Sequence, residues 1–100
     1  MSDSNSLFLK TAANLMNDLN VRYMEADFDT QVEMRDELDR VMTAYAESQL
    51  AILQKNIKCT PADVAQMQKL QQKIAKSASS LQLLSTVGSI ASFFVKRFLL

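Results

Sequence analysis

The residues of this chain that could do chemistry are a run of carboxylates and a single thiol. Seven acidic residues lie between positions 25 and 39, and the chain of 100 residues has one cysteine, Cys59. It has no histidine, which removes the usual general base, the most common metal ligand and any Ser–His or Cys–His nucleophile pair. Its one glycine excludes a glycine-rich phosphate loop. We therefore expect no catalytic residue, no cofactor and no metal site, and we do not expect an enzyme.

The acidic run could form a calcium-binding loop, but its spacing is wrong for one. An EF-hand loop that began at Asp27 would need glycine at its sixth position and glutamate at its twelfth. The chain has Val32 and Leu38 there. We expect a solvated helix start instead, whose acids are free to meet another molecule. The candidate partner contacts in this run are Asp29, Glu33, Asp36 and Glu37.

Cys59 lies just before a predicted helix start, where a thiolate could be stabilised. Because there is no second cysteine and no histidine, we expect it to be a small apolar residue that closes a loop. A single cysteine cannot form an internal disulfide, so a reducing, cytoplasmic location is the expectation.

Composition points to helices. The chain is 48% hydrophobic and 22% charged, as in an ordinary globular domain, and it has one glycine and one proline. Sheets need frequent turns, so this shortage favours a few long helices. We predict an all-α fold with a disordered segment at 1–5 and a single helical-bundle domain at 6–100.

Apolar periodicity and capping signals divide the domain into three helices. The first is predicted at about 6–26. Thr30 and Glu33 match a capping box that would begin the second, at about 30–57. Thr60, Pro61 and Asp63 are suited to the cap, the first position and the first turn of a third, at about 61–99. The short connection before it predicts antiparallel neighbours in a bundle.

The third helix has one alternative. Steps of three and four residues continue from Met67 to Phe98, as in coiled coils, and favour an unbroken helix. A break near 78–80 would instead give four helices. The predicted core of the bundle, or of an oligomer, is Leu15, Leu19, Leu38, Val41, Tyr45, Ile52, Leu70, Ile74, Leu81, Leu84, Ala91, Val95 and Phe98.

Residues 77–95 contain no charge, and their apolar residues cover about half of a helical wheel, wider than the stripe of about 100° of an ordinary surface helix. We expect a bundle helix covered on two sides. An interfacial membrane helix is the first alternative and a spanning helix the second. Four residues near the C-terminal end are candidate partner contacts. Phe93 and Leu100 are chosen because they project on the polar side of this helix, and Lys96 and Arg97 lie beside them.

The two halves of the chain carry opposite charge. Residues 1–50 have ten acids and four bases (net −6), and residues 51–100 have one acid and seven bases (net +6). Such halves can pair within a bundle or between copies. The whole chain has no basic excess, so we expect no nucleic-acid binding.

The stretch PADVAQMQKL at 61–70, followed by a long C-terminal helix, is similar to the start of the second helix of bacterial type III secretion needle subunits. The similarity covers about the last 40 residues, and the additional N-terminal helix and the Phe-Leu-Leu terminus depart from the needle pattern. The resemblance implies a helical-hairpin subunit of a secretion assembly.

The leading functional prediction is a non-enzymatic protein–protein interaction module. It would be a small bacterial or phage accessory protein of the inhibitor or chaperone type that binds a protein partner and self-associates as a homo-oligomer. The alternative is a membrane-associated or membrane-active protein that uses residues 78–100.

Overall fold

The computed structural model describes residues 4–100 and confirms an all-α bundle, with four helices. They are α1 (Ser4–Glu25), α2 (Phe28–Gln54), α3 (Pro61–Lys76) and α4 (Ser80–Phe94), and a π-helical turn, Val95–Leu99, continues α4. The bundle measures 44 × 22 × 18 Å. Residues 1–3 of the segment predicted to be disordered lie outside the described part, and Ser4 and Asn5 already belong to α1.

The start of α3 is confirmed as a capping box. The Thr60 hydroxyl accepts a hydrogen bond from the Asp63 backbone N–H (3.2 Å), and the Asp63 carboxylate accepts one from the Thr60 N–H (2.8 Å). Pro61 begins the helix, where its missing N–H leaves nothing unsatisfied.

The predicted start of α2 at Thr30 is wrong. Asp27 caps this helix, because its carboxylate accepts a hydrogen bond from the Thr30 backbone N–H at 2.8 Å. That hydrogen bond also holds the pKa of Asp27 below its ordinary value. An aspartate three residues ahead of the threonine provides the cap first, so the helix begins at Phe28 and the Thr30–Glu33 box is not used.

The prediction that the second and third helices are neighbours is also wrong. α1 packs against α3, and α2 against α4, while the backbones of α2 and α3 are not neighbours. Arg22 near the end of α1 donates to the carbonyls of Ile74 and Ser77 at the end of α3, so these two helices run parallel. The six residues between α2 and α3 cross the bundle diagonally instead of making a tight hairpin.

The unbroken third helix is wrong and the four-helix alternative is confirmed. Ser77 ends α3 by donating its N–H to Ile74 O, and Ser79 begins α4 by accepting from the Gln82 N–H at 3.2 Å. The Gln82 side chain in turn accepts from the Ala78 N–H at 2.9 Å. Serines compete well with the helix for these backbone groups, so the chain breaks at 77–79.

The break shifts the register of the core. Leu81, predicted in the core, is 75% exposed, while Leu83 is buried. The other predicted core residues face the interior of the chain. Leu15, Leu19, Val41, Ile52, Leu70, Ile74, Ala91 and Phe98 are buried, and Leu38, Tyr45, Leu84 and Val95 are partly buried against them.

The apolar side of α4 therefore lies inside the bundle. Leu83, Val87, Ile90, Ala91 and Phe94 are all buried. Among residues 4–100, no helix is both long and apolar enough to span a membrane.

One core position is poorly matched to its surroundings. Ser48 on α2 is 1% exposed, and its hydroxyl has no hydrogen-bond partner within residues 4–100. A buried hydroxyl without a partner loses its hydration and gains nothing. Ser48→Ala should therefore raise the free energy of unfolding by about 1 kcal/mol, as measured by urea denaturation.

Ser89→Ala is the matched control, because the Ser89 hydroxyl is exposed and donates to the Ser85 carbonyl at 3.2 Å. It should change stability only by the difference in helix propensity, a few tenths of a kcal/mol. A loss of stability in Ser48→Ala would show that this hydroxyl is satisfied.

Candidate functional site

The outward face of α2 carries an unpartnered row of apolar side chains, which we call the α2 stripe. At about 100° per residue its members lie within about 80° of one another, on the side opposite Val41 and Ser48, which are buried. The α2 stripe consists of Phe28 (73% exposed), Val32 (50%), Met42 (45%), Leu50 (54%) and Leu53 (70%).

Carboxylates line one flank of the α2 stripe. Asp29, Glu33, Asp36 and Glu47 are exposed and project within about 60° of each other beside it, and Asp39 lies within the stripe itself. None of these five acids forms an ion pair within residues 4–100. Charges that are not paired within the chain remain available to a partner.

A groove of about 420 Å³ opens on this acidic flank, between α2 and the π-helical turn. We call it the acidic groove. Its apolar lining comes from Ala44, Val95 and Leu99, and its polar lining from Asp36, Asp39, Arg40, Thr43 and Glu47.

The acidic groove has one cation in its lining, Arg40, whose side chain is 67% exposed. Arg40 pairs with Glu37 at 3.3 Å, one turn earlier on α2. Three carboxylates thus face the groove without an ion pair of their own, which gives it a negative potential. Within the described part of the chain, no cluster of three or more His, Cys, Asp or Glu residues is placed to hold a metal ion.

Some of the predicted partner contacts are exposed in the structure, and others are engaged within the chain. Asp29, Glu33 and Asp36 are exposed on α2, and Glu37 is half-buried in its pair with Arg40. Lys96 and Leu100 are exposed at the C-terminal end, with Leu100 93% exposed.

Phe93 and Arg97 are engaged within the chain. Phe93, which projects on the polar side of α4, is only partly exposed, because its ring centre lies 6.2 Å from that of Phe8 and 6.1 Å from that of Phe98. Arg97 donates to both carboxylate oxygens of Asp63, at 2.9 and 3.0 Å, and its guanidinium lies 4.9 Å from the Phe98 ring centre. Both side chains therefore hold the bundle together.

The connection that follows α2 is held to the start of α1 by hydrogen bonds. Asn5 donates to Ile57 O at 2.9 Å and accepts from the Cys59 N–H at 2.7 Å, which ties the diagonal connection to the start of α1. Cys59 is buried, and burial, with a contribution from Asp63, raises the pKa of its thiol. The thiolate is therefore disfavoured here, and Cys59 acts as a small packing residue.

Sequence reasoning missed the α2 stripe, although a signal for it was present. The apolar residues of α2 fall into two registers at helical spacing, one containing Met34 and Val41 and the other containing Val32 and Leu50. Only the first was assigned to a face. A second register left over after the core is filled indicates another packing surface.

Comparison of the sequence with protein-family models finds no matching family, and comparisons with curated proteins and with solved structures find no match. The resemblance of residues 61–70 to needle subunits stays a prediction.

Proposed function

We propose that this chain is a non-enzymatic protein-interaction module that binds a helix of another protein along the outward face of α2. The observation that supports this proposal is the α2 stripe, five large apolar side chains that are 45–73% exposed on one side of one helix. Exposed apolar side chains scattered singly are ordinary, whereas five on one side of one helix, interrupted only by Arg35 and Asp39, are typical of a docking surface.

The size of the stripe suits a helical partner. From Phe28 to Leu53 it spans 25 residues, about 37 Å at 1.5 Å per residue. Burying a large apolar side chain completely contributes about 1.5–3 kcal/mol, and these five are already about half covered. They would each contribute on the order of 1 kcal/mol, enough in sum to anchor a helix laid along α2.

The membrane alternative has less support from the geometry. The apolar residues of α4 that would enter a bilayer are the ones buried in the bundle, so they would have to leave the core first. The helix with the most large exposed apolar side chains is α2, where the neighbouring carboxylates would be repelled by anionic lipid headgroups. A protein partner meets neither obstacle.

Site-specific photocrosslinking in the cells that make this protein tests the proposal. A photoreactive amino acid at Val32 or at Leu50 should give a discrete crosslinked adduct, because both positions would lie within the interface. The same amino acid at Gln68, exposed on the outer side of α3, is the matched control and should give none. Mass spectrometry of the adduct would identify the partner, including a second copy of this chain.

The proposal would be overturned if neither stripe position gave an adduct, or if Gln68 gave the same one. Circular dichroism of the purified variants checks that each remains folded. Val32 and Leu50 are at least half exposed and Gln68 is exposed, so the substitutions should leave the core intact.

A further inference from the structure

We infer that the partner of the α2 stripe is a basic amphipathic helix of a different protein, with an apolar face flanked by lysine or arginine. This inference rests on the proposed function and adds the chemistry of the partner. It follows from the charges around the stripe, from the lining of the acidic groove, and from the poor fit of a second copy.

The first argument is the charge of α2. The helix has six acids and two arginines, so its net charge is 2 − 6 = −4. Four of the acids lie on the same flank of the stripe. A partner helix that laid its own carboxylates there would bring like charges together, whereas lysines or arginines would be attracted and steered to this flank.

The second argument is the acidic groove. A lysine or arginine has an apolar stem and a charged head, and it is accommodated best where an apolar floor ends at carboxylates. Val95 and Leu99 supply such a floor, and Asp36 and Glu47 supply carboxylates at its edge. The volume of about 420 Å³ is ample for one such side chain.

The third argument concerns a second copy of this chain. In a two-fold antiparallel pair of α2 helices the same surface meets itself, so the acidic flank of one copy would face the acidic flank of the other. In a parallel pair, Asp39 would face Asp39 and Arg35 would face Arg35. The parallel pair thus places like charges opposite each other within the stripe, which is destabilising. An antiparallel pair centred near residue 37 would set Arg35 against Asp39 of the other copy, but it would still bring the two acidic flanks together.

The lysine-bearing face of α3 is no better as a partner for the stripe. Lys69, Lys73 and Lys76 could pair with the acids of another copy, but the groove beside Lys73 and Lys76 offers one large exposed apolar side chain, Leu81 of α4. That contact would leave most of the five side chains of the α2 stripe uncovered. A helix of another protein that carries both apolar and basic residues could cover the α2 stripe and pair with its acidic flank.

A pair of designed peptides tests this inference. Each is a helix of about 25 residues with leucine at the heptad a and d positions, flanked in one by lysine and in the other by glutamate. Fluorescence anisotropy should show the lysine peptide binding at least about tenfold more tightly than the glutamate peptide. Raising the salt concentration should weaken the lysine peptide only.

Variants of the protein separate the contributions of charge and apolar contact. The double variant Asp36→Lys, Glu47→Lys should weaken the lysine peptide by at least about tenfold, and Val32→Ser, Leu50→Ser should do the same at high salt. Lys69→Glu, Lys73→Glu is the control on the opposite side and should leave the lysine peptide unaffected or slightly favoured. All of these positions are exposed, and circular dichroism checks the fold of each variant.

Equal affinity for the two peptides, or no binding of either, would overturn the basic-partner inference. A stable dimer in light scattering that Val32→Ser, Leu50→Ser dissociates would overturn it in favour of a second copy. In either case a crosslinked adduct at Val32 or at Leu50 would still support the interaction module. Absence of an adduct at both positions removes the proposed function itself, so the two failures are distinguishable.

Discussion

Replacing Leu83 with alanine should lower the free energy of unfolding by about 3 kcal/mol, whereas Leu81→Ala should change it by less than about 0.5 kcal/mol. Leu83 is 3% exposed and Leu81 is 75% exposed, although the two lie only two residues apart on α4. Removing a buried leucine side chain loses its transfer free energy and leaves a cavity, and removing an exposed one does neither. Urea denaturation followed by circular dichroism measures both values.

The comparison is well matched because both substitutions are leucine to alanine in the first turn of the same helix. Differences in helix propensity therefore cancel. The opposite order, with Leu81→Ala the more damaging, is what an unbroken helix in the heptad register of Leu81 and Leu84 requires. That result would contradict the break at 77–79.

Local signals allowed parts of this fold to be predicted. The start of α3 was predictable because Thr60, Pro61 and Asp63 all act within one turn, so no distant residue decides the outcome. The break before α4 was only an alternative, because side-chain hydrogen bonds that end a helix compete closely there with continuation of the helix. Ser79 and Gln82 bind backbone groups that a continuing helix would otherwise use, and apolar periodicity alone favours continuation.

The order of packing could not be predicted from the same signals. A short connection usually joins neighbouring helices, but here it crosses a diagonal, with Asn56 in a left-handed conformation (φ 54°) after the end of α2. The choice depends on which apolar faces fit together once all four helices are present. Phe93 shows the consequence, because Phe8 of α1 reaches its ring from the opposite corner of the bundle.

The acids of the candidate site could be predicted from the sequence, but the α2 stripe could not. The exposed acids Asp29, Glu33 and Asp36 follow directly from their spacing on a helix, and they were expected to be available to a partner. The α2 stripe required knowing which of two apolar registers faces the core, and that is settled by the docking of α4 on α2. The acidic groove also needs the π-helical turn, which no sequence pattern indicated.

Asp63 should be the most consequential charged residue of the chain. Its side chain is 8% exposed, it pairs with Arg97 at 2.9 Å, and it completes the cap of α3. Asp63→Ala removes both the charge pair and the cap and should cost about 3 kcal/mol. Asp63→Asn keeps a capping side chain and should cost about 1–2 kcal/mol, measured by urea denaturation at pH 7.

The pH dependence of stability should identify the same carboxylate. Burial alone raises the pKa of Asp63, but the hydrogen bonds from Arg97 and Thr60, with the charge of Arg97, outweigh it and hold the pKa below its ordinary value. Its stabilising contribution is therefore fully present above the unfolded value of about 3.9 and is lost as the pH falls through the lower folded value. Asp63→Asn should lack that part of the loss, so its stability should approach the wild type in acid.

Substitution of Arg97 tests whether its pair with Asp63 stabilises the fold. Arg97→Met keeps much of the apolar contact with Phe98 but leaves the buried Asp63 carboxylate without its cation, so it should cost at least as much as Asp63→Asn. Arg97 is 31% exposed on its side chain, and water will moderate that cost to about 2 kcal/mol. Combining the two substitutions should restore part of the loss, with a coupling free energy of about 1–2 kcal/mol in a double-mutant cycle. Additive losses would mean that the pair orients the C-terminal turn without stabilising the fold.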